Sequence, residues 1–147
     1  MSLTRPYRKM SKSDSDKTAT IFLNDSAEVI GKKIKLATTD SIRQISYDPV
    51  ERPGLANLIR LYSLTQNIKV GDTVANFDSK TKVDLKEAVT DALVAHLSPI
   101  RRRYNELWED FLIRKDESQV SLIATRGNEV ASSVARQTLD RIKQLLD

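Results

Sequence analysis

"VDLKEAVTDALVAHLSPIRRRYNELWEDFLI", Val83 to Ile113, is the stretch whose reading decides the fold class. Leu85, Val89, Leu93, Leu97, Ile100, Tyr104, Leu107, Trp108 and Phe111 recur at steps of three and four, the period at which side chains share one face of an α-helix. Pro99 interrupts the run: it lacks the backbone N–H and its ring clashes with the preceding turn, at ~3 kcal/mol inside a helix. A kink or a restart is expected there, with Ser98 as the N-cap of the second half.

The same period extends outward in both directions. Gln119 to Leu146 carries it through Val120, Ile123, Val130, Val134, Ile142 and Leu145, with Gly127 read as a place where another helix can approach closely. Upstream, Leu55, Leu58, Ile59 and Tyr62 share a face, and Val70 to Phe77 reads as one short helix. Asn24, Asp25 and Ser26 supply N-cap chemistry for a helix from Ser26 to Ala37. Its buried face is expected to hold Val29, Ile30, Ile34 and Ala37, with lysines opposite. Ahead of it, "TIFLND" reads as a short strand or extended segment. "TTDSIRQISYDPVERPG", Thr38 to Gly54, is dense in turn formers and reads as an ordered loop. The fold expected is all-α: a bundle of about four or five helices over residues 21–147, fronted by a flexible polar arm over residues 1–20.

Composition narrows the chemistry. With 39% hydrophobic residues in 147, there is enough for one modest core and too little for two full domains. A net charge of +4 and a sequence pI near 9.4 give a mildly basic surface, suited to a polyanionic partner. The absence of cysteine excludes disulfides, thiolate metal sites and a cysteine nucleophile. No apolar run approaches the ~20 residues that span a bilayer, so no membrane partner is expected.

The chemistry-bearing motif is "KMSKSD", Lys9 to Asp14. Two ammonium groups and several hydroxyls on one short loop suit a triphosphate, because lysine is a compact charge on a long stem that can follow the phosphates through a reaction. Lysines that close on negative charge as it develops stabilise a transition state more than a ground state. Read alone, the same pentapeptide also fits a solvated tail.

The residues that follow narrow the choice. "KMSKSD", then "TIFLNDSAEVIGKKIKLATTDS", then "YDPVERPGLANLIRLYS" resembles the C-terminal half of tryptophanyl-tRNA synthetases, class I enzymes of the bacterial and organellar type. The lysine pentapeptide is common to class I; the ordered series "TDS", "YDP", "RPG", "NL" and "YS" is what points to the tryptophan enzymes. The resemblance is strong from Arg8 to Leu64, weak from Gln66 to Lys82, and looser but helical beyond. It implies that Lys9, Met10, Ser11, Lys12 and Ser13 form the ATP-binding loop, with Lys9 and Lys12 the catalytic residues that stabilise pyrophosphate. Mg2+ would accompany the ATP, and no protein metal site is implied. Ser15 stands where the family usually has proline, implying a less rigid exit from the loop.

The resemblance also implies tryptophan and tRNA(Trp) as substrates. Asp40, Ser41, Arg43 and Gln44 are the candidates for contacting tRNA bases, with a turn-capping role for Asp40 as the alternative. The Rossmann half of such enzymes, with its H-I-G-H-like signature, has no counterpart in these 147 residues, so this chain alone is expected not to activate an amino acid. Without that half, the Lys9–Ser13 loop is expected to be disordered. The parent would be a homodimer through the absent half, leaving this portion monomeric, and would reside in the mitochondrial matrix or, alternatively, the bacterial cytoplasm. A free-standing tRNA-binding module and a generic helical interaction domain are the competing readings. His96, the single histidine, is expected to pack on its helix, and Tyr104 and Trp108 to lie in the core. Arg101, Arg102 and Arg103 fan around a helix and cannot all meet one ligand.

Overall fold

The computed structural model describes residues 1–146, and among them every regular element is helical. In chain order these are α1 (Ala27–Leu36), α2 (Pro53–Gln66), α3 (Val70–Asn76), α4 (Lys82–Arg114) and α5 (Gln119–Leu146). Short 3-10 turns lie at Lys17–Ala19 and Lys115–Glu117. The all-α expectation holds. The chain divides into two compact units, Met1–Arg101 and Arg102–Asp147.

The first unit holds the core. Ser26 caps α1, its hydroxyl accepting from the Val29 amide at 3.2 Å, and Ile30, Ile34 and Ala37 are buried. Val29 lies at the edge of that face and is 37% exposed, whereas Lys33 is buried in its stead. Helix α2 is the most enclosed element, with Gly54 to Ile59 all buried and Pro53 in its first turn, where the missing N–H costs no hydrogen bond. Asn67 ends it in the left-handed conformation, φ 53°. Helix α3 brings Phe77 edge-to-face against Tyr62, ring centroids 5.2 Å apart. Leu85, Val89, Leu93 and Leu97 of α4 complete the core.

Gly54 shows why the "RPG" tripeptide needs its glycine. The Thr38 carbonyl lies against it so closely that a Cβ would sit 2.1 Å from that oxygen. Any side chain would drive the 38–52 loop off α2.

The arm differs from expectation. Leu3 is 2% exposed and belongs to the core, and Ser2 and Pro6 are buried too. The Leu3 amide donates to Ala19 O at 2.9 Å, and Leu3 O accepts from the Thr38 amide at 2.9 Å. "TIFLND" is not a strand: it leaves the 3-10 turn extended at Thr20, then turns through Asp25 N to Phe22 O at 3.1 Å, because Asp25 also accepts from the Phe22 amide.

Helix α4 runs through Pro99 without restarting. Ser98 is not a cap; its hydroxyl donates back to Val94 O at 2.6 Å.

In the second unit the turn after α4 is tied down locally. Lys115 adopts φ 48°, Ser118 is buried and accepts from the Ser121 amide, and the Gln119 amide donates to Asp110 Oδ2 at 2.7 Å. No residue of α5 is buried. Gly127 has nothing within 4 Å of a Cβ placed on it, so it does not serve close packing. Tyr104 and Trp108 are 44% and 50% exposed and stack on each other, centroids 6.4 Å apart, rather than entering a core. The core position expected from their spacing is not found, because periodicity marks a shared helix face without specifying that anything packs on it.

Removing Leu3 tests whether the arm belongs to the fold. Leu3→Ala is expected to cost about 2–4 kcal/mol in urea denaturation, as for other buried leucines; a loss within about 0.5 kcal/mol would show that the arm contributes nothing to the core.

Candidate functional site

The lysine loop is a closed excursion rooted at both ends. On its near side the Ser2 amide donates to Arg8 O at 2.7 Å, and on its far side Ala19 O accepts from Leu3. Within it Asp14 forms an ion pair with Arg5 and accepts from the Asp16 amide at 3.0 Å. Asp16 accepts from the Thr4 hydroxyl at 2.8 Å and the Thr18 amide at 3.0 Å. These bonds keep both carboxyl groups below the usual aspartate range, the Asp16 amide acting first at Asp14 and the Thr18 hydroxyl first at Asp16. The exit from the loop is therefore held by side chains.

Against this frame the five motif residues take distinct positions. Met10 packs half-buried on the core, and Ser11 O accepts from the Thr20 hydroxyl at 3.3 Å. The Ser11 and Ser13 hydroxyls lie 3.1 Å apart. Lys9 and Lys12 are exposed, and neither ammonium forms an ion pair among the described residues. The disorder expected of the loop gives way to a defined path, because Arg5, Asp14, Asp16 and Met10 anchor it within the first unit. The result is a segment offering two free positive charges and hydroxyl donors, which fits a polyanion.

Lys33 anchors the segment after the loop. Its ammonium, on a side chain 8% exposed, donates to Asp25 Oδ2 at 2.5 Å and Thr20 O at 2.9 Å, and lies 4.7 Å from the centre of the Phe22 ring. The lysines of α1 are expected on the face opposite the core, Lys33 among them. Its position between Ile30 and Ala37 on the buried face was the available signal.

The 38–52 loop is organised by another buried cation. Arg52, 6% exposed, meets Asp40 with two bonds, Nε to Oδ2 at 2.9 Å and Nη2 to Oδ1 at 2.8 Å. It also donates to Gln44 O at 2.8 Å, Ile42 O at 3.1 Å and Ser46 Oγ at 2.5 Å. The Arg52 bonds are the main reason the Asp40 carboxyl is held down to about 2. Asp40 thus faces inward, while Ser41, Arg43 and Gln44 are exposed. Nothing in the sequence singled out Arg52 beyond its place before the helix-starting proline.

The remaining candidates are dispersed. His96 is exposed rather than packed. Arg101 donates to Asp25 O at 2.9 Å, Arg102 lies exposed 3.8 Å from Glu106, and Arg103 bonds Glu106 and Gln119, so the three arginines turn to different partners. Among the described residues no cluster of three or more His, Asp or Glu could hold a metal, and no helix is long and apolar enough to cross a membrane.

Comparison with known proteins accounts for the loop and the helices together. The family of tRNA synthetases class I (W and Y) matches residues 1–98. The chain belongs to this family. A tryptophan–tRNA ligase of Enterococcus faecalis is 38% identical over 143 residues, which is 97% of this chain and 40% of that protein. A mitochondrial tryptophan–tRNA ligase of Dictyostelium discoideum is 34% identical over 146 residues, 99% of this chain and 37% of that protein. The crystal structure of a tryptophanyl-tRNA synthetase from Mycoplasma pneumoniae superposes with a TM-score of 0.73 at 31% identity, covering 95% of this chain and 40% of that one. The chain thus spans about 40% of the length of the relatives it matches.

The Asp40–Arg52 pair gives a pH signature. Because the folded carboxyl is held below its unfolded value of about 3.9, the pair's stabilisation is complete above that value and is lost as pH falls toward 2. Asp40→Asn is expected to lower stability by roughly 1–2 kcal/mol at pH 6 and by little at pH 2.5, in denaturant melts at both pH values. A gap independent of pH would contradict the assignment.

Proposed function

We propose that this chain is the signature-loop and helical portion of a tryptophan–tRNA ligase, which activates tryptophan with ATP and transfers it to tRNA(Trp). The observation that carries this reading is the Lys9–Ser13 loop, with both ammonium groups unpaired and its ends pinned by buried contacts, in a chain whose relatives are tryptophan–tRNA ligases. In this reading residues 1–20 are the loop arm and residues 21–147 the helical tRNA-binding part.

ATP would supply the α-phosphate that the tryptophan carboxylate attacks, and Mg2+ accompanying it would add positive charge at the phosphates. What these residues contribute is charge and position. Lys9 and Lys12 would stabilise the negative charge that grows as pyrophosphate departs, their exposure leaving them free to close on it. Ser11 and Ser13 offer hydroxyl donors beside them. Met10, packed on the core, keeps the two lysines on the outer side of the loop. Ser41, Arg43 and Gln44 would meet tRNA, with Asp40 holding their backbone through Arg52.

Localisation to the mitochondrial matrix belongs to the same proposal, supported by the Dictyostelium relative; the bacterial relatives support a bacterial cytoplasm equally. A homodimeric parent is likewise proposed, with the pairing surface outside this chain.

The test uses the full-length protein in ATP–pyrophosphate exchange with tryptophan. Lys12→Ala is expected to lower kcat on the order of 10²-fold, the usual loss when one charge-stabilising donor is removed from a transition state. An unchanged rate would overturn the lysine assignment.

A further inference from the structure

Two side-chain bonds join the feet of the lysine loop. Arg5, on the side leading into it, forms an ion pair with Asp14 on the side leading out, the two side chains being 35% and 20% exposed. Beside that pair the Thr4 hydroxyl donates to Asp16 Oδ2 at 2.8 Å. Among the described residues no backbone hydrogen bond links residues 4–5 to residues 14–16, so the neck is closed by side chains rather than by a backbone ladder.

The two ends of the ion pair are held differently. Arg5 is a fixed post: its amide donates to the buried Ser2 hydroxyl at 3.2 Å and its carbonyl accepts from the Arg8 amide at 2.9 Å, in a turn rooted on Leu3. Asp14 belongs to the moving part. Its amide donates to Ser11 O at 3.3 Å, which closes a four-residue turn with Lys12 at its second position. Where Asp14 is held therefore sets where that turn points and where the Lys12 ammonium is presented. The Asp16 amide first and Arg5 second keep the Asp14 carboxyl below its ordinary range, so it carries its charge throughout the neutral range. An ion pair this open to solvent is weak and screened by salt, so it bears on the direction of the turn more than on the stability of the fold.

We propose that Arg5 and Asp14 are positioning residues for the activation step, the pair holding the Ser11–Asp14 turn on its post so that Lys12 is set in place before pyrophosphate begins to depart. The inference rests on the ATP-loop reading above and adds to it two residues that touch no substrate. A preset turn spares the reaction the entropy of ordering Lys12 as the charge develops. Because Lys12 acts on charge that grows only in the transition state, loss of the pair falls on kcat and leaves the KM for ATP nearly unchanged.

The test uses the full-length protein in ATP–pyrophosphate exchange with tryptophan, with Lys12→Ala measured alongside. Arg5→Gln and Asp14→Asn are each expected to lower kcat about 10-fold, short of the roughly 10²-fold that a misplacement of one ångström can cost, with the KM for ATP within about 2-fold of wild type. The double variant is expected to lose no more than either single one, as partners that act as a unit do. Arg5→Lys keeps a cation for the single bond to Asp14 and is expected to lose less than about 3-fold. Thermal melts matching wild type are expected for all four variants, and a fall in kcat that only follows a fall in melting temperature would overturn the positioning role. A rate raised by Asp14→Asn and lowered by Arg5→Gln would make the pair a source of charge for the phosphates and overturn it too, as would additive losses in the double variant. If Lys12→Ala slows exchange and neither Arg5→Gln nor Asp14→Asn does, the positioning role falls and the ATP-loop reading stands. A Lys12→Ala enzyme as fast as wild type overturns both.

Discussion

Leu3 is the point through which the polar N-terminal segment becomes part of the helical body. Its side chain is enclosed in the core, its amide bonds Ala19 and its carbonyl accepts from Thr38. Fixing Leu3 beside Ala19 turns the residues between them into a closed loop, and the entropy of that closure is offset by burial of an apolar side chain worth about 1.5–3 kcal/mol. The consequence is geometric. A Lys/Ser string that would otherwise sample all directions is held at one place on the first unit, with Met10 turned inward and the two ammonium groups turned out.

Two kinds of cation then divide the labour. Lys33 and Arg52 are buried and paired, each meeting a carboxylate and one or more backbone carbonyls of an irregular segment. Burying a charge is costly unless it is paired and hydrogen-bonded, and here the partners belong to the segments that no helix or strand would order. Lys9, Lys12 and Arg43 are exposed and unpaired, available to an anion. The helices supply the core, the buried cations fix the loops on it, and the free cations lie on loops so fixed.

Much of the architecture was legible in the sequence because it depends on local period and capping. Ser26 caps α1, and Val70 and Gln119 begin their helices where the spacing indicated, whereas Pro53 and Gly54, read as the end of the loop, form the first turn of α2. What was not legible depends on contacts between distant residues. Leu3 in a polar context carries no periodic signal, so its place in the core could not be read. Pro99 reads locally as a break, yet Ser98 bonds backward and the helix continues. The stripe through Tyr104 and Trp108 marks an apolar face without specifying a partner. At the site, the lysine pentapeptide and the loop around Arg43 were visible by type and order. Lys33 and Arg52 were not, since a lysine or arginine has the same letter whether it is buried, braced or free.

The account turns on the closure at Leu3, and amide hydrogen exchange followed by NMR examines it directly. The Leu3 and Thr38 amides donate to Ala19 O and Leu3 O, whereas the amides of Lys9, Lys12 and Ser13 have no such partners. The prediction is that Leu3 and Thr38 exchange slowly, with the protection of α2 amides, while Lys9, Lys12 and Ser13 exchange near the unprotected rate. Exchange of Leu3 as fast as that of Lys12 would contradict the account, because the loop would then be a tail and not a closed part of the fold.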